Sequence, residues 1–320
     1  MNAAAEICLR VDAGGVVGLG HYARCASLAR ELQRRGKSVA FAGRIAAWLH
    51  TSLPSAANRF FTGEPDASPL TSEDGEQTAA WAEHAVWLVV DHLGANADWA
   101  TAVRRRAPRL RILVVDDHQR REWADLRLAP TQLPAPHTLA GPTWLPIDPA
   151  FAAARNDRPR SGIVIYFSSH DPNGLCRRAI TALRPLVSTH ALTVICADAA
   201  AARDGLDALL RAWPAGGRRI AEVQPGTMAA ILAQAAVVVC SASTIAWEAL
   251  ACGTPVAAVF WIDNQEASAA RLAELGVPIA SDPESVAARI PALLGAKAPA
   301  FSGDGVGRLA NHLITAGCKG

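Results

Sequence analysis

The sequence lacks a surplus of charge of either sign: 31 basic and 29 acidic residues leave a formal net charge of +2. That balance provides no electrostatic footprint for a polyanion, so no nucleic-acid partner is expected. Long apolar runs are also missing. None approaches the roughly 18 residues that a membrane span requires, which predicts no integral membrane association. The N-terminal stretch has no basic start followed by an apolar core, because Glu6, Arg10 and Asp12 interrupt it; a soluble cytoplasmic chain is expected. The seven cysteines, Cys8, Cys25, Cys176, Cys196, Cys240, Cys252 and Cys318, are odd in number and contain no CxxC pair. Such spacing suggests neither a disulfide framework nor a zinc site, and reduced thiols are expected. No His, Asp or Glu cluster has metal-ligand spacing, so neither a metal nor another cofactor is expected.

Hydrophobic residues are abundant, at 51% against 19% charged. A large core follows, and 320 residues suit two domains of ordinary size. The one dense basic stretch, Arg104, Arg105 and Arg106 with Arg109 and Arg111, lies between apolar runs. It reads as the solvated end of a helix rather than a binding patch.

Short β-type runs alternate with longer helical ones. Ile7–Val11, Ser38–Ala42, Trp87–Asp91 and Ile112–Asp116 read as strands. His21–Arg35 reads as a helix with an apolar stripe of Cys25, Leu28, Ala29 and Leu32, and Asp98–Arg106 as another. Prolines 130, 134, 136, 142, 146 and 149 predict a connector over Ala129–Pro149. The pattern then restarts, with strands at Gly162–Phe167, Leu192–Ala197, Ala236–Cys240 and Pro255–Phe260. Helices fall at Gly174–Leu186, Thr227–Ala235 and Thr244–Ala251. Continuous apolar strands bracketed by helices imply parallel sheets covered on both faces. The expected fold class is therefore α/β, with two Rossmann-like lobes over residues 1–150 and 160–320, the last helix in the second lobe, and a ligand cleft between them. Ligands of such sheets sit beyond the carboxyl ends of the strands.

Four segments at those ends could carry chemistry. The first runs from Asp12 through Gly14, Gly15, Gly18 and Gly20 to His21, after a strand and at a helix start. Glycines let the backbone approach a ligand, and a helix start attracts anions. Gly18, Gly20 and Ala23 formally match the dinucleotide fingerprint, but the loop after Val11 is too long for its tight turn. The next strand ends in Gly43-Arg44, with no acid for a ribose. His21 stands where the glycine loop would present it to a ligand, and an imidazole suits general-base work; the bland alternative is a structural histidine. The second segment, Ser241 to Pro255, offers Ser243 as helix cap, free amides at Thr244 and Ile245 for a diphosphate, and Glu248 one turn on for ribose hydroxyls. Its bland alternative is a capped core helix. The third, Phe167 to Asn173, contains Ser169 and Asp171 and reads equally as an ordinary turn with a helix cap. The fourth holds Asn264 and Gln265, able to bond phosphate or sugar, or to cap the next helix.

In this order, the segments resemble the UDP-sugar hydrolase family of the pseudaminic acid pathway. The resemblance covers nearly the whole chain: Gly18-Leu-Gly20-His21-Tyr22-Ala23-Arg24, Val90-Asp91-His92-Leu93-Gly94, Val115-Asp116-Asp117, Asp171-Pro172, Ser241 to Leu250, Asn264-Gln265, and Asp304 to Leu309. That family cleaves UDP-2,4-diacetamido-2,4,6-trideoxy-β-L-altropyranose to UDP and free sugar, and is similar in fold to GT-B glycosyltransferases. The resemblance implies a metal-independent, inverting UDP-sugar hydrolase, expected to be a monomer. It implies a catalytic role for His21 and diphosphate binding at Ser243, Thr244 and Ile245. Glu248 then holds ribose, and Asn264 and Gln265 lie near phosphate and sugar. Asp12, Gly18, Gly20, Asp91, His92, Ser169 and Asp171 complete the expected substrate-binding set. Two departures stand out. Ser168-Ser169-His170 replaces the family's Gly-Gly, and Leu93 replaces an aromatic. They leave the sugar open, and with it three rivals: a glycosyltransferase of the same fold, a non-catalytic nucleotide-sugar binder, and a dehydrogenase using Arg44.

Overall fold

A computed structural model of the chain describes residues 5–14, 17, 20–53, 58–66, 68–116, 122–168, 170–221, 223 and 225–317. The chain divides into two units, one of residues up to Pro146 together with those from Asp304 onward, the other spanning Ile147–Gly303.

The first unit is built on seven parallel strands: β1 (Ile7–Val11), β2 (Val39–Gly43), β3 (Arg59–Phe60), β4 (Trp87–Asp91), β5 (Arg111–Val115), β6 (Leu126–Ala129) and β7 (Thr138–Ala140). Their order is β3-β2-β1-β4-β5-β6-β7. Alternation on β1 explains the layering. Ile7, Leu9 and Val11 face a core shared with the stripe Cys25, Leu28, Ala29 and Leu32 of helix α1 (Gly20–Arg34). Cys8 points to the opposite core, with Leu88, Val90, Trp99 and Val103. That face is covered by α2 (Ser72–Trp81) and α3 (Ala97–Arg106), capped by Thr71 and Asn96 accepting the Asp74 and Trp99 amides. Gly36, at φ +78°, ends the α1 segment as a left-handed residue. Gly43 is required for another reason: a Cβ there would lie 1.7 Å from the Val11 carbonyl oxygen. Its bareness lets β1 and β2 meet just before the loops that matter.

Two expectations are corrected here. Proline density predicts a connector over Ala129–Pro149, yet Thr138–Ala140 joins the sheet as its edge strand. An edge strand needs partners on one side only, so prolines flanking a three-residue strand are tolerated. The last helix, Gly305–Gly317, belongs to the first unit and not the second. Val306, Leu309, Ala310 and Leu313 enter the same core as α1. Trp87 Nε1 donates to the Leu313 carbonyl at 3.1 Å, and Arg111 Nη1 to that of Ala316 at 2.8 Å. An amphipathic stripe announces that a face must be buried, without saying against which core.

The second unit repeats the plan with six parallel strands: β8 (Ile163–Tyr166), β9 (Leu192–Ile195), β10 (Gly217–Ile220), β11 (Val237–Ser241), β12 (Val256–Val259) and β13 (Ile279–Ala280). Their order is β10-β9-β8-β11-β12-β13. Its helices are α4 (Pro149–Ala153), α5 (Leu175–Val187), α6 (Asp198–Asp204), α7 (Leu206–Arg211), α8 (Pro225–Gln234), α9 (Thr244–Ala251), α10 (Glu266–Glu274), α11 (Pro283–Ala287) and α12 (Ile290–Leu293). Buried residues of α5, α7 and α11 form one core with Ile163, Ile165, Val237 and Val239. In each sheet the strand order reverses beside the first strand, between β1 and β4 and between β8 and β11. Loops leaving those strands in opposite directions open a crevice at their carboxyl ends. Among the described residues no helix is long and apolar enough to cross a membrane.

The placement of the last helix is checked by Leu309→Ala. Removing this fully buried side chain should cost about 2–4 kcal/mol. Hydrogen exchange should then accelerate in β1 and β4 and stay unchanged in β8 and β11; the reverse pattern would return the helix to the second unit.

Candidate functional site

In the first unit the expected residues gather where the strand order reverses. Val11 and Asp91, the last residues of β1 and β4, are register partners. His21 is the second residue of α1, on the loop from β1, and its Nδ1 lies 2.6 Å from Asp91 Oδ1. Arg24, one turn along the same face, donates to Asp91 through Nε, and through Nη2 at 2.7 Å. Asp91 is fully buried, while the His21 side chain keeps 24% of its exposure. Burial by itself would raise the Asp91 pKa; the Arg24 guanidinium, then His21, outweigh it and hold the carboxyl well below the usual carboxylate range. The carboxylate is therefore ionised and accepts a hydrogen bond from Nδ1–H. That bond sets the tautomer: Nε2 carries the lone pair. Nε2 has no partner among the described residues, and this is the arrangement of an oriented general base.

A second charged group lies under the same strand ends. Arg10 is fully buried and donates to both oxygens of Asp74, at 3.2 and 2.8 Å, and to Asp12. Asp12 also accepts the Arg44 amide at 2.8 Å and faces His92 Nε2 at 3.3 Å. Burial would raise the Asp12 pKa, but His92, Arg10 and the Arg44 amide bring it down to about 2. Trp99 Nε1 adds a bond to Asp74 at 2.9 Å. The Arg10 and Arg44 guanidinium groups lie 4.9 and 5.3 Å from the Phe61 ring centre. Opposite charges this completely paired can remain buried.

Asp12 and His92, both expected to touch substrate, are buried and paired within this network. His92 gives Nε2–H to Asp12 and accepts the Gly94 amide at Nδ1, 2.9 Å. Gly20 is exposed at the start of α1, as a close-approach residue should be. Gly18 and Ser169 lie outside the described residues. Arg24, Arg10 and Asp74 escaped sequence reasoning as site residues. Arg24 was legible as the i+3 neighbour of His21, and Arg10 as a charge inside an apolar strand.

In the second unit α9 starts directly after β11. Ser243 occupies the cap position, but its hydroxyl pairs with Ser241 Oγ at 2.9 Å and caps no amide of the first turn. Thr244 and Ile245 N–H groups are thus uncapped at a helix start that favours an anion. Glu248 follows one turn later, half-buried. Burial, aided by the nearby Asp148, pushes its carboxyl up to about 8. Asn264 is exposed, whereas Gln265 is buried and its Oε1 accepts the Trp261 amide at 3.1 Å. Asp171 departs from expectation. Its carboxylate is fully buried and accepts the Leu175 and Cys176 amides, both at 2.8 Å. It caps the start of α5.

Glu248 yields a pH test. In the unfolded chain it ionises near 4.5 and in the folded chain near 8. Between these values the folded state holds a proton that the unfolded state has released, so the residue's contribution to stability falls as pH rises. Glu248→Gln has no such proton. Its Tm relative to the parent should climb steadily from pH 5 to pH 8; a pH-independent difference would contradict the raised value.

No protein-family model matches this chain, and no curated protein matches it. Solved structures do. MurG of Acinetobacter baumannii is 17% identical over 97% of this chain and 95% of its own, with a TM-score of 0.61. The S. aureus MnaA–UDP co-structure is 13% identical over 97% and 96%, TM-score 0.64. UDP-GlcNAc 2-epimerase from Neisseria meningitidis bound to UDP-GlcNAc is 12% identical over 98% and 100%, TM-score 0.63. At such identities the likeness establishes the fold: two Rossmann-like lobes with parallel sheets, of the GT-B-like kind.

Proposed function

We propose that the chain is a UDP-sugar hydrolase that cleaves the anomeric C–O bond of a UDP-linked diacetamido-trideoxy sugar, releasing UDP and the free sugar. The observation that carries this reading is the Asp91–His21 pair, with its free Nε2, at the strand-order reversal of the first unit. Two further features support it: the uncapped start of α9 in the second unit, and the structural neighbours that carry UDP or UDP-GlcNAc.

The chemistry follows from these groups. His21 Nε2 takes a proton from water as its oxygen attacks the anomeric carbon. The bond from that carbon to the β-phosphate oxygen breaks, and its electron pair leaves on UDP. Asp91 stabilises the imidazolium that forms. The Thr244 and Ile245 amides meet the charge growing on the diphosphate, and Glu248 accepts from ribose hydroxyls. UDP is a good leaving group, so no strong general acid is needed. Attack from the face opposite the leaving group inverts the anomeric centre.

A glycosyltransferase reading is kept because of one surface feature. Trp48 and Phe60 of the first unit are 65% and 37% exposed, and His50 stacks on Phe60 at 3.9 Å. An apolar surface of this kind suits an acceptor that would replace water.

Incubation with a UDP-diacetamido-trideoxy sugar alone, followed by chromatography, separates the readings: a hydrolase forms UDP and free sugar without acceptor. His21→Asn should fold, bind UDP normally, and lose about 10²–10⁴-fold in kcat. Asp91→Asn should lower kcat on the order of 10²-fold, leave KM nearly unchanged, and alter the pH–rate profile, because the base loses its tautomer control. Full activity in His21→Asn would remove the mechanism.

A further inference from the structure

The second unit contains a cluster that the proposed reaction does not use. Asp171, in the loop after β8, Cys176, in the first turn of α5, and Cys196, just beyond β9, come from three separate segments. The carboxylate oxygen and two sulfurs all lie within 4.8 Å of one another. All three residues are buried to 0% exposure.

Two observations point beyond the packing of small thiols. The first is the burial of a charge at Asp171. Its fully buried carboxylate accepts the two amides of α5 and faces the Cys176 thiol, with the Arg203 guanidinium as the cation acting on it. A carboxylate enclosed beside two thiols gains from a divalent cation that all three can share. Each of its oxygens still has a lone pair unused by those bonds. The second is the donor set. Two sulfurs beside one carboxylate oxygen match a thiophilic divalent ion, and tetrahedral zinc places its sulfur ligands about 3.7 Å apart. With every donor atom already within 4.8 Å of the others, about 1 Å of closure reaches that distance. Two guanidinium groups flank the cluster: Arg203 Nη2 donates to the Asp171 carbonyl, and Arg219 Nη1 to the Cys196 carbonyl at 3.1 Å. They offset the negative charge left when two thiolates and a carboxylate surround a divalent ion.

We propose that Asp171, Cys176 and Cys196 form a structural site for a thiophilic divalent cation, with zinc as its natural occupant. Binding releases two thiol protons to solvent and ties the β8 loop, α5 and β9 together at the carboxyl edge of the sheet. Motif spacing does not reveal the site, because its ligands are 5 and 20 residues apart. It is independent of the hydrolytic reading, since that reaction is assigned to His21, Asp91 and the start of α9.

The test uses the full chain, stripped with a chelator under a phosphine reductant and titrated with Cd²⁺. A thiolate-to-cadmium charge-transfer band should saturate at one equivalent, and Zn²⁺ should displace it. Cys176→Ser/Cys196→Ser should abolish the band, Asp171→Asn should weaken binding at least tenfold, and Cys240→Ser should leave it intact. Variants that misfold are bypassed by hydrogen exchange on the parent chain, where Zn²⁺ should slow residues 171–176 and 192–196. Absence of a saturable band, an unchanged band in the double variant, or no protection by Zn²⁺ would overturn the site. So would a Cys176–Cys196 disulfide in chain purified without reductant, which would make the two thiols a redox pair.

Discussion

A buried carboxylate at the end of β4 organises the first unit. Asp91 has almost no access to water, and an ion so enclosed is tolerated only with its charge matched and its lone pairs occupied. Arg24 supplies the charge, and His21 the remaining donor. Both sit on α1, so the same bonds that relieve Asp91 lock the start of α1 against β4. The site geometry and the local stability are therefore one arrangement. Asp91 holds His21 at Nδ1 and leaves Nε2 open.

The layer beneath follows the same logic with the opposite outcome. Arg10, Asp12, Asp74, Arg44 and His92 pair with one another around a fully buried guanidinium. The network aims the loops instead of using them. The second unit shows a contrast of the same kind. Asp171 caps the start of α5, while α9 begins with amides that its own cap residue leaves alone. Uncommitted donors at a strand-order reversal distinguish a binding position from a merely polar one. By that criterion the uncapped Thr244 and Ile245 amides stand apart from the paired Asp12 and His92.

Much of this was legible in the residues. Continuous apolar strands, such as Trp87–Asp91 and Val237–Ser241, read as parallel and doubly covered. The glycine loop before His21 and the serines before α9 mark where backbone is left accessible. What local pattern could not supply was the partner of each side chain. His21 and Asp91 stand 70 residues apart, and Arg10 and Asp74 stand 64 apart. No periodicity couples positions at that distance; only strand order and register bring them together.

The sequence by itself determined the elements, their alternation, and the loops at which chemistry was to be sought, because hydrophobic period and turn residues act over a few positions. Tertiary structure alone decided that the last helix completes the first core, that three residues between prolines become an edge strand, and which polar groups remain free. Those outcomes depend on which buried charges and apolar faces find each other across the folded chain, and their cost is set by desolvation, a property of the assembled interior rather than of any local stretch.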